Sequence, residues 1–296
     1  MTPCERIEAA WRCACAWDVA ASKPGNVSHA RAGHRMVAAQ FLDSADAAAA
    51  ALVVGDGSVG QRIEAAVAAT WDRVGCNTNL GIVLLCVPLA QARRRLHDAE
   101  VTEASLREAL GRVLAELTPL DSAATYRAIR QASPGGLGRA SDEDVHQEPT
   151  LDLRAAMALA ADRDRIARQY RDGFDELFRL GLPGLDTQAQ RLQQAPVAAC
   201  QDGAAEAVQR LWLRFLASAP DAHIVRKHGA AVAQSVMNDA MAWLDQAPRG
   251  RSLDHDPAWS DWDLRLKAQG INPGTTADLT VATLFLHGLL QRADPT

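Results

Sequence analysis

The chain has 296 residues, 48% of them hydrophobic, and a net charge of −5. That length and apolar content support a sizeable core and exclude a disordered chain. The mild acidity argues against a nucleic-acid coat while leaving room for a local basic pocket.

The apolar run Ile82 to Ala90 is too short for a membrane span and contains Pro88. The start, Met1 to Arg6, lacks a basic region followed by an apolar core, so no secretory signal is expected and the cytoplasm is the expected location. The six cysteines, Cys4, Cys13, Cys15, Cys76, Cys86 and Cys200, form no CxxC pair and read as free or buried thiols.

Ala, Leu, Arg, Glu and Gln dominate, while Ile, Tyr and Phe are scarce, which favours helix over sheet. In chain order the helical patterns are Glu5 to Ala20, the alanine-rich Ser44 to Val54, Gln61 to Asp72 and Leu80 to His97. A helix opening at Thr102 places Leu106, Leu110, Val113, Leu114 and Leu117 on one face. Asp121 to Gln131 follows, then Leu151 to Leu180, broken near Gly173 and ended by Pro183-Gly184. Ala204 to Ala217, Gly229 to Asp245 and Thr276 to Arg292 complete the series. Two long connectors, Ser133 to about Pro149 and Ala247 to Asp261, lie between them; the first could close over a ligand or simply be a solvated link. Regular βα alternation is absent. The expectation is an all-α protein: one domain over 1–296, with about ten helices.

Gly55-Asp56-Gly57-Ser58-Val59-Gly60 matches G-x-G-x-x-G, but an alanine-rich helical run precedes it and no βαβ unit follows, so it reads as a helix–loop–helix connector. Four other segments set Lys, Arg or Asn beside a turn next to a helical pattern. In Ser22-Lys23-Pro24-Gly25-Asn26-Val27 a cation stands at a rigid turn, suited to phosphate or to a plain surface turn. Cys76-Asn77-Thr78-Asn79-Leu80-Gly81 precedes an apolar helix, which Thr78 or Asn79 can cap. Val225-Arg226-Lys227-His228-Gly229 brings two cations before a small-residue helix start. Gly270-Ile271-Asn272-Pro273-Gly274-Thr275-Thr276 is a stop-and-turn signal, and a helix start of this kind leaves N–H groups that can receive a phosphate.

Among the acids, Asp43 and Asp46 lie three apart on one helical face. Asp162-Arg163-Asp164-Arg165 is charge-dense; its carboxylates could bind Mg²⁺ or form a salt-bridged exposed face. Asp278 sits just inside the last helix, where an acid also complements the helix dipole. His29 and His34 are five apart without an obvious third metal ligand, so surface or satisfied histidines are the simpler reading.

The four turn segments, in this order and at these spacings, resemble the triphosphoribosyl-dephospho-CoA synthase family from about Trp11 to Leu290. Asn77-Thr78-Asn79-Leu80-Gly81, with Asp162-Arg163-Asp164, is similar to a divergent branch associated with methanopterin- or methanofuran-linked C1 metabolism. The citrate-lyase branch has His-Lys where this chain has Asn79-Leu80, and Asp-Thr-Asn where it has Asp221-Ala222-His223. Asp18 is the nearest carboxylate upstream of Lys23, and Glu148 is a further acid.

The resemblance implies an ATP-using transferase that moves a 5-triphosphoribosyl group to the 2-hydroxyl of dephospho-CoA and releases adenine. The alternatives are a related enzyme with another acceptor in C1-carrier biosynthesis and a non-catalytic nucleotide-binding protein. The resemblance also implies candidate catalytic acids Asp43, Asp162 and Asp278. Substrate and phosphate binding falls to Lys23, Gly25, Asn26, Asn77, Asn79, Arg226, Lys227, Asn272, Gly274 and Thr275, and Mg²⁺ to Asp162 and Asp164. The expected partners are ATP and dephospho-CoA or a related acceptor, with no nucleic acid and no membrane; a homodimer is entertained.

Overall fold

A computed structural model describes residues 2–134, 138–140, 142–185, 202–246 and 251–291. The described residues form thirteen α-helices, more than the ten or so expected, and no strand. The all-α reading holds. The chain forms two compact units. One comprises 1–12, 43–175 and 284–296, the other 13–42 and 176–283. Helices α1 (Pro3–Ala20), α2 (Ala38–Val53) and α13 (Gly274–Leu290) each contribute residues to both. No described helix is long and apolar enough to cross a membrane.

The first unit is built from α3 (Val59–Val74), α4 (Leu80–Arg94), α5 (Glu103–Ala115), α6 (Pro119–Ala132), α7 (Leu153–Ala160) and α8 (Arg165–Asp172). Capping boxes start three of them: Ser58 with Gln61, Thr102 with Ser105, and Thr118 with Asp121. In each, the cap hydroxyl and the third residue's side chain satisfy orphan N–H groups reciprocally. Helix α3 approaches α6 at Gly60, where a Cβ would lie 2.4 Å from the Asp121 carbonyl oxygen. The Gly55–Gly60 loop is a connector, as expected. Arg62 donates to Gly55 O (2.6 Å) and Gly57 O (2.9 Å), so its oxygens face a structural guanidinium.

The expected helix over Leu151 to Leu180 is broken twice. It stops after α7, restarts at α8 with an extended Asp164 as cap, and stops again at left-handed Gly173. Short helical turns then cover Leu177–Gly181 and Leu182–Gly184. Two of the described acids in the first long connector are bound into it. Glu143 accepts from Tyr126 Oη (2.9 Å) and Thr150 N (3.0 Å), while Asp144 accepts from Ala140 N and His146 N, both at 2.8 Å.

The second unit contains α9 (Asp202–Ser218), α10 (Ala222–His228), α11 (Ala230–Gln246) and α12 (Pro257–Ala268). Its core gathers Trp212, Trp259 and Trp262 with Leu213, Leu216, Ile224 and Leu266, and Trp243 packs on its rim. Trp243 and Trp259 meet edge to face at 5.0 Å, a favoured quadrupole geometry. The expected connector Ala247 to Asp261 is therefore corrected: its described part contains a short turn at Leu253–His255 and the start of α12, capped by Asp256 with Pro257 first. Residues 247–250 lie outside the described residues, as does Cys200.

Candidate active site

In the second unit three of the four turn segments come together. Gly25 has φ +85°, and a Cβ there would stand 2.8 Å from both Ile271 O and Pro273 Cδ, so only glycine lets the two turns close on each other. Asn26 Nδ2 donates to Asn272 Oδ1 (2.6 Å), and Gly25 N donates to Asp263 Oδ1 (2.8 Å). His34 Nε2 contacts Gly25 O at 2.7 Å. His34 and Arg35 both have positive φ, 53° and 64°, and the bridge between Gly33 and Met36 closes that tight turn.

The third segment joins through Asp221. Its Oδ1 accepts from His223 N (2.9 Å) and Ile224 N (3.1 Å), capping α10; its Oδ2 accepts from Thr276 N and Thr276 Oγ1, both at 2.7 Å, in the first turn of α13. A buried carboxylate thus fastens the Arg226-Lys227-His228 helix to the Asn272-Pro273-Gly274-Thr275 start. His223 lies against that start, 3.5 Å from where a Gly274 Cβ would be. His228 Nε2 reaches Gly270 O at 3.1 Å.

Positive charge predominates around these turns. Asp263 answers both Lys267 (3.0 Å) and Arg31 (3.4 Å). Lys227 has no ion-pair partner among the described residues. Burial pushes the His223 imidazole down to about 3, and Lys227, Arg226, His34 and His228 push the same way. Burial also lowers the Lys267 ammonium, against the pull of Asp263.

Lys23 occupies a different setting from the exposed cation of a phosphate site. Its side chain is fully buried, its ammonium pairs with Asp18 Oδ1 (3.1 Å), and it donates to the carbonyls of Asp18 and Ala21. The ammonium is therefore held within the chain by two hydrogen bonds and an ion pair. Asp278, half-buried, stands one turn beyond Gly274 on α13.

The remaining candidates lie in the first unit. Asn79, one of the two expected caps, is the N-cap residue of α4, but its side chain makes no capping bond; Asn77 Oδ1 accepts from Leu80 N (3.1 Å) instead. Thr78 Oγ1 donates to Ser44 Oγ (2.6 Å), and Asn79 Nδ2 donates to Thr70 Oγ1 (3.0 Å), both inside the packing. Asp43 forms an exposed pair with Arg73 (3.3 Å). Asp162 is 97% exposed and pairs with Arg171 (2.9 Å). Asp164 Oδ1 accepts from Ile166 N and Ala167 N. With one carboxylate spent on a guanidinium and the other on a helix start, Asp162 and Asp164 do not fit a preformed Mg²⁺ site. Among the described residues no three His, Cys, Asp or Glu side chains cluster to hold a metal.

Sequence reasoning passed over His223, Asp263 and Lys267 as site residues. The i, i+4 spacing of Asp263 and Lys267 was a usable signal once α12 is seen as a helix.

The family profile of ATP:dephospho-CoA triphosphoribosyl transferase (CitG) matches residues 4–295. The crystal structure of an Archaeoglobus fulgidus protein assigned as a triphosphoribosyl-dephospho-CoA synthase has a similar fold. Its TM-score is 0.60 and its identity 24%, over 83% of this chain and 97% of that one. No protein of curated function matches. With a profile match over nearly its whole length, this chain belongs to the CitG family of triphosphoribosyl transferases.

Proposed function

We propose that the protein transfers the 5-triphosphoribosyl group of ATP to the 2-hydroxyl of dephospho-CoA, releasing adenine. The observation that carries this reading is the joining of three distant segments, through Asn26–Asn272 and Asp221–Thr276, beside an excess of cationic groups. A triphosphate needs cations and unpaired N–H groups. Arg226, Lys227 and Lys267 supply the first, and Thr275 N at the start of α13 supplies the second, since Gly274 N is already bonded to Asn272 O (2.8 Å). Lys23 and Gly25 act in this reading as positioning residues that hold the Asn26 turn in place.

Transfer at C1 of the ribose passes through an oxocarbenium-like state, which a nearby carboxylate stabilises. Asp278 is the acid nearest in sequence to the α13 start and takes that role. Asp43 and Asp162 stay as further carboxylate candidates, while Asn77 and Asn79 hold the entry to α4. Mg²⁺ carried in on the triphosphate would supply charge neutralisation, with no preformed carboxylate site needed for it.

The test is adenine release from Mg·ATP, followed by chromatography with and without dephospho-CoA. Adenine formed only with dephospho-CoA, and lost in Lys227→Ala and Asp278→Asn, supports the reading. ATP binding with no adenine under any acceptor sinks it.

A second reading keeps the ATP frame and changes the acceptor to one of C1-carrier biosynthesis. Its support is the inward packing of Asn79 and Leu80, 4% and 9% exposed, where the citrate-lyase branch resembled has His-Lys. It expects adenine release with another hydroxyl acceptor and none with dephospho-CoA.

A further inference from the structure

Among the buried polar atoms of the second unit without a hydrogen-bond partner are Asn26 Oδ1 and His223 Nε2. Asn26 itself is only 7% exposed. Asn26 is fixed to Asn272, two residues before α13, and His223 rests against the first residue of α13. An unpaired buried donor or acceptor costs free energy that a ligand can recover. Both orphans stand at the turn cluster that the triphosphate reading uses, and this inference rests on that reading.

The surroundings of His223 decide which chemistry suits it. On its own helix are Arg226, Lys227 and His228, and Asp221 accepts its backbone N–H. His34 approaches from the Gly33–Met36 turn. From α13 comes the helix start at Gly274, whose dipole also favours negative charge. Asp221 is committed to the N–H groups of α10 and α13. His223 is thus a half-buried imidazole in a field that disfavours its cation, with its buried Nε2 unsatisfied.

We propose that His223 is a polyphosphate-binding residue that takes up a proton as the anion arrives and donates from Nε2 to a phosphate oxygen. The proton comes from solvent, and no covalent bond forms or breaks. The magnitudes allow it. A unit negative charge about 5 Å away shifts a protonation constant roughly a hundredfold at an effective dielectric of about 20. A triphosphate brings several such charges, enough to offset the cationic field around an imidazole lowered to about 3.

The experiment is calorimetric titration of the whole protein with inorganic tripolyphosphate, and separately with ATP, in buffers of different ionisation enthalpy near pH 6.5. The wild type is expected to take up close to one proton more per ligand than His223→Asn. Its affinity should fall about tenfold per pH step as pH rises above neutral, relative to that variant. The ligand's own protonation is common to both proteins and cancels. Equal proton uptake in the two, or an absence of tripolyphosphate binding, overturns the proposal. Should His223→Asn not fold, buffer-independent heats in the wild type alone overturn it. Proton-linked binding without adenine release would keep this inference and remove the transferase reading, so the two failures are distinguishable.

Discussion

The hydroxyl of Tyr170 donates to the carbonyl of Leu84 at 2.6 Å, four residues before Pro88 inside α4. Pro88 has no N–H, so the Leu84 oxygen lacks its helical donor, and Tyr170 on α8 replaces it. Tyr170 is fully buried, and burial pushes its phenol well above the ordinary range, keeping it a donor. Tyr170→Phe should cost about 1–3 kcal/mol, the penalty for stranding a buried carbonyl. In a Pro88→Ala background the helix can supply its own N–H, and the cost should fall by at least half. Urea unfolding of the four proteins measures this coupling; additive losses would show the two residues to be independent.

Lys23 and Asp18 make a buried ion pair rather than a cation awaiting phosphate. Removing one member leaves the other charged and unpaired in the interior. Lys23→Ala should therefore destabilise by about 3–5 kcal/mol. Loss of adenine release in that variant would follow from loss of the turn, and it would appear together with a lowered unfolding midpoint. Unchanged stability with weakened ATP affinity would instead make Lys23 a direct ligand.

Asp121 links stability to pH. Burial alone would raise its carboxyl, but donors from Ser58, Gly60 and Thr118 outweigh that and hold it below the ordinary carboxylate range. A depressed folded pKa contributes stability that is present above the unfolded value and lost as pH falls through the folded one. Asp121→Asn should cost about 1–3 kcal/mol at pH 7 through its lost charge-assisted bonds. The difference from wild type should shrink below about pH 4, near the unfolded carboxylate value. Denaturant unfolding from pH 7 to pH 3 checks it; a gap that stays constant would show that charge is not involved.

The family motifs and most helices were legible because they are local: a turn residue beside an amphipathic run. The helix starts that escaped share one cause. Asp164, Asp221 and Asp256 each accept an N–H of the helix they open. In sequence an aspartate reads as charge, and Asp164 was read as a metal ligand for that reason, although Asp is among the best N-caps. The site residues that escaped depend on distance in the chain. Nothing near Gly25 announces that its N–H meets Asp263, 238 residues away. The charge of Lys23 was visible, but its burial was not, because burial depends on Asp18 and the folded turn.

Gly25 and Gly75 offer a controlled comparison of two left-handed glycines. Both have positive φ, +85° and +68°, but a Cβ at Gly75 meets nothing within 4 Å, whereas one at Gly25 meets Ile271 O and Pro273 Cδ at 2.8 Å. Gly75→Ala should cost only the left-handed strain, about 1–2 kcal/mol. Gly25→Ala should cost that plus about 1–3 kcal/mol of overpacking, because the contacts are backbone and a proline ring that cannot swing away. The same displacement separates Asn26 from Asn272 and should weaken tripolyphosphate binding at least tenfold, while Gly75→Ala binds as wild type. Unfolding midpoints and the calorimetric titration measure both effects. Equal losses at the two positions would mean that the approach of the two turns does not build the anion site.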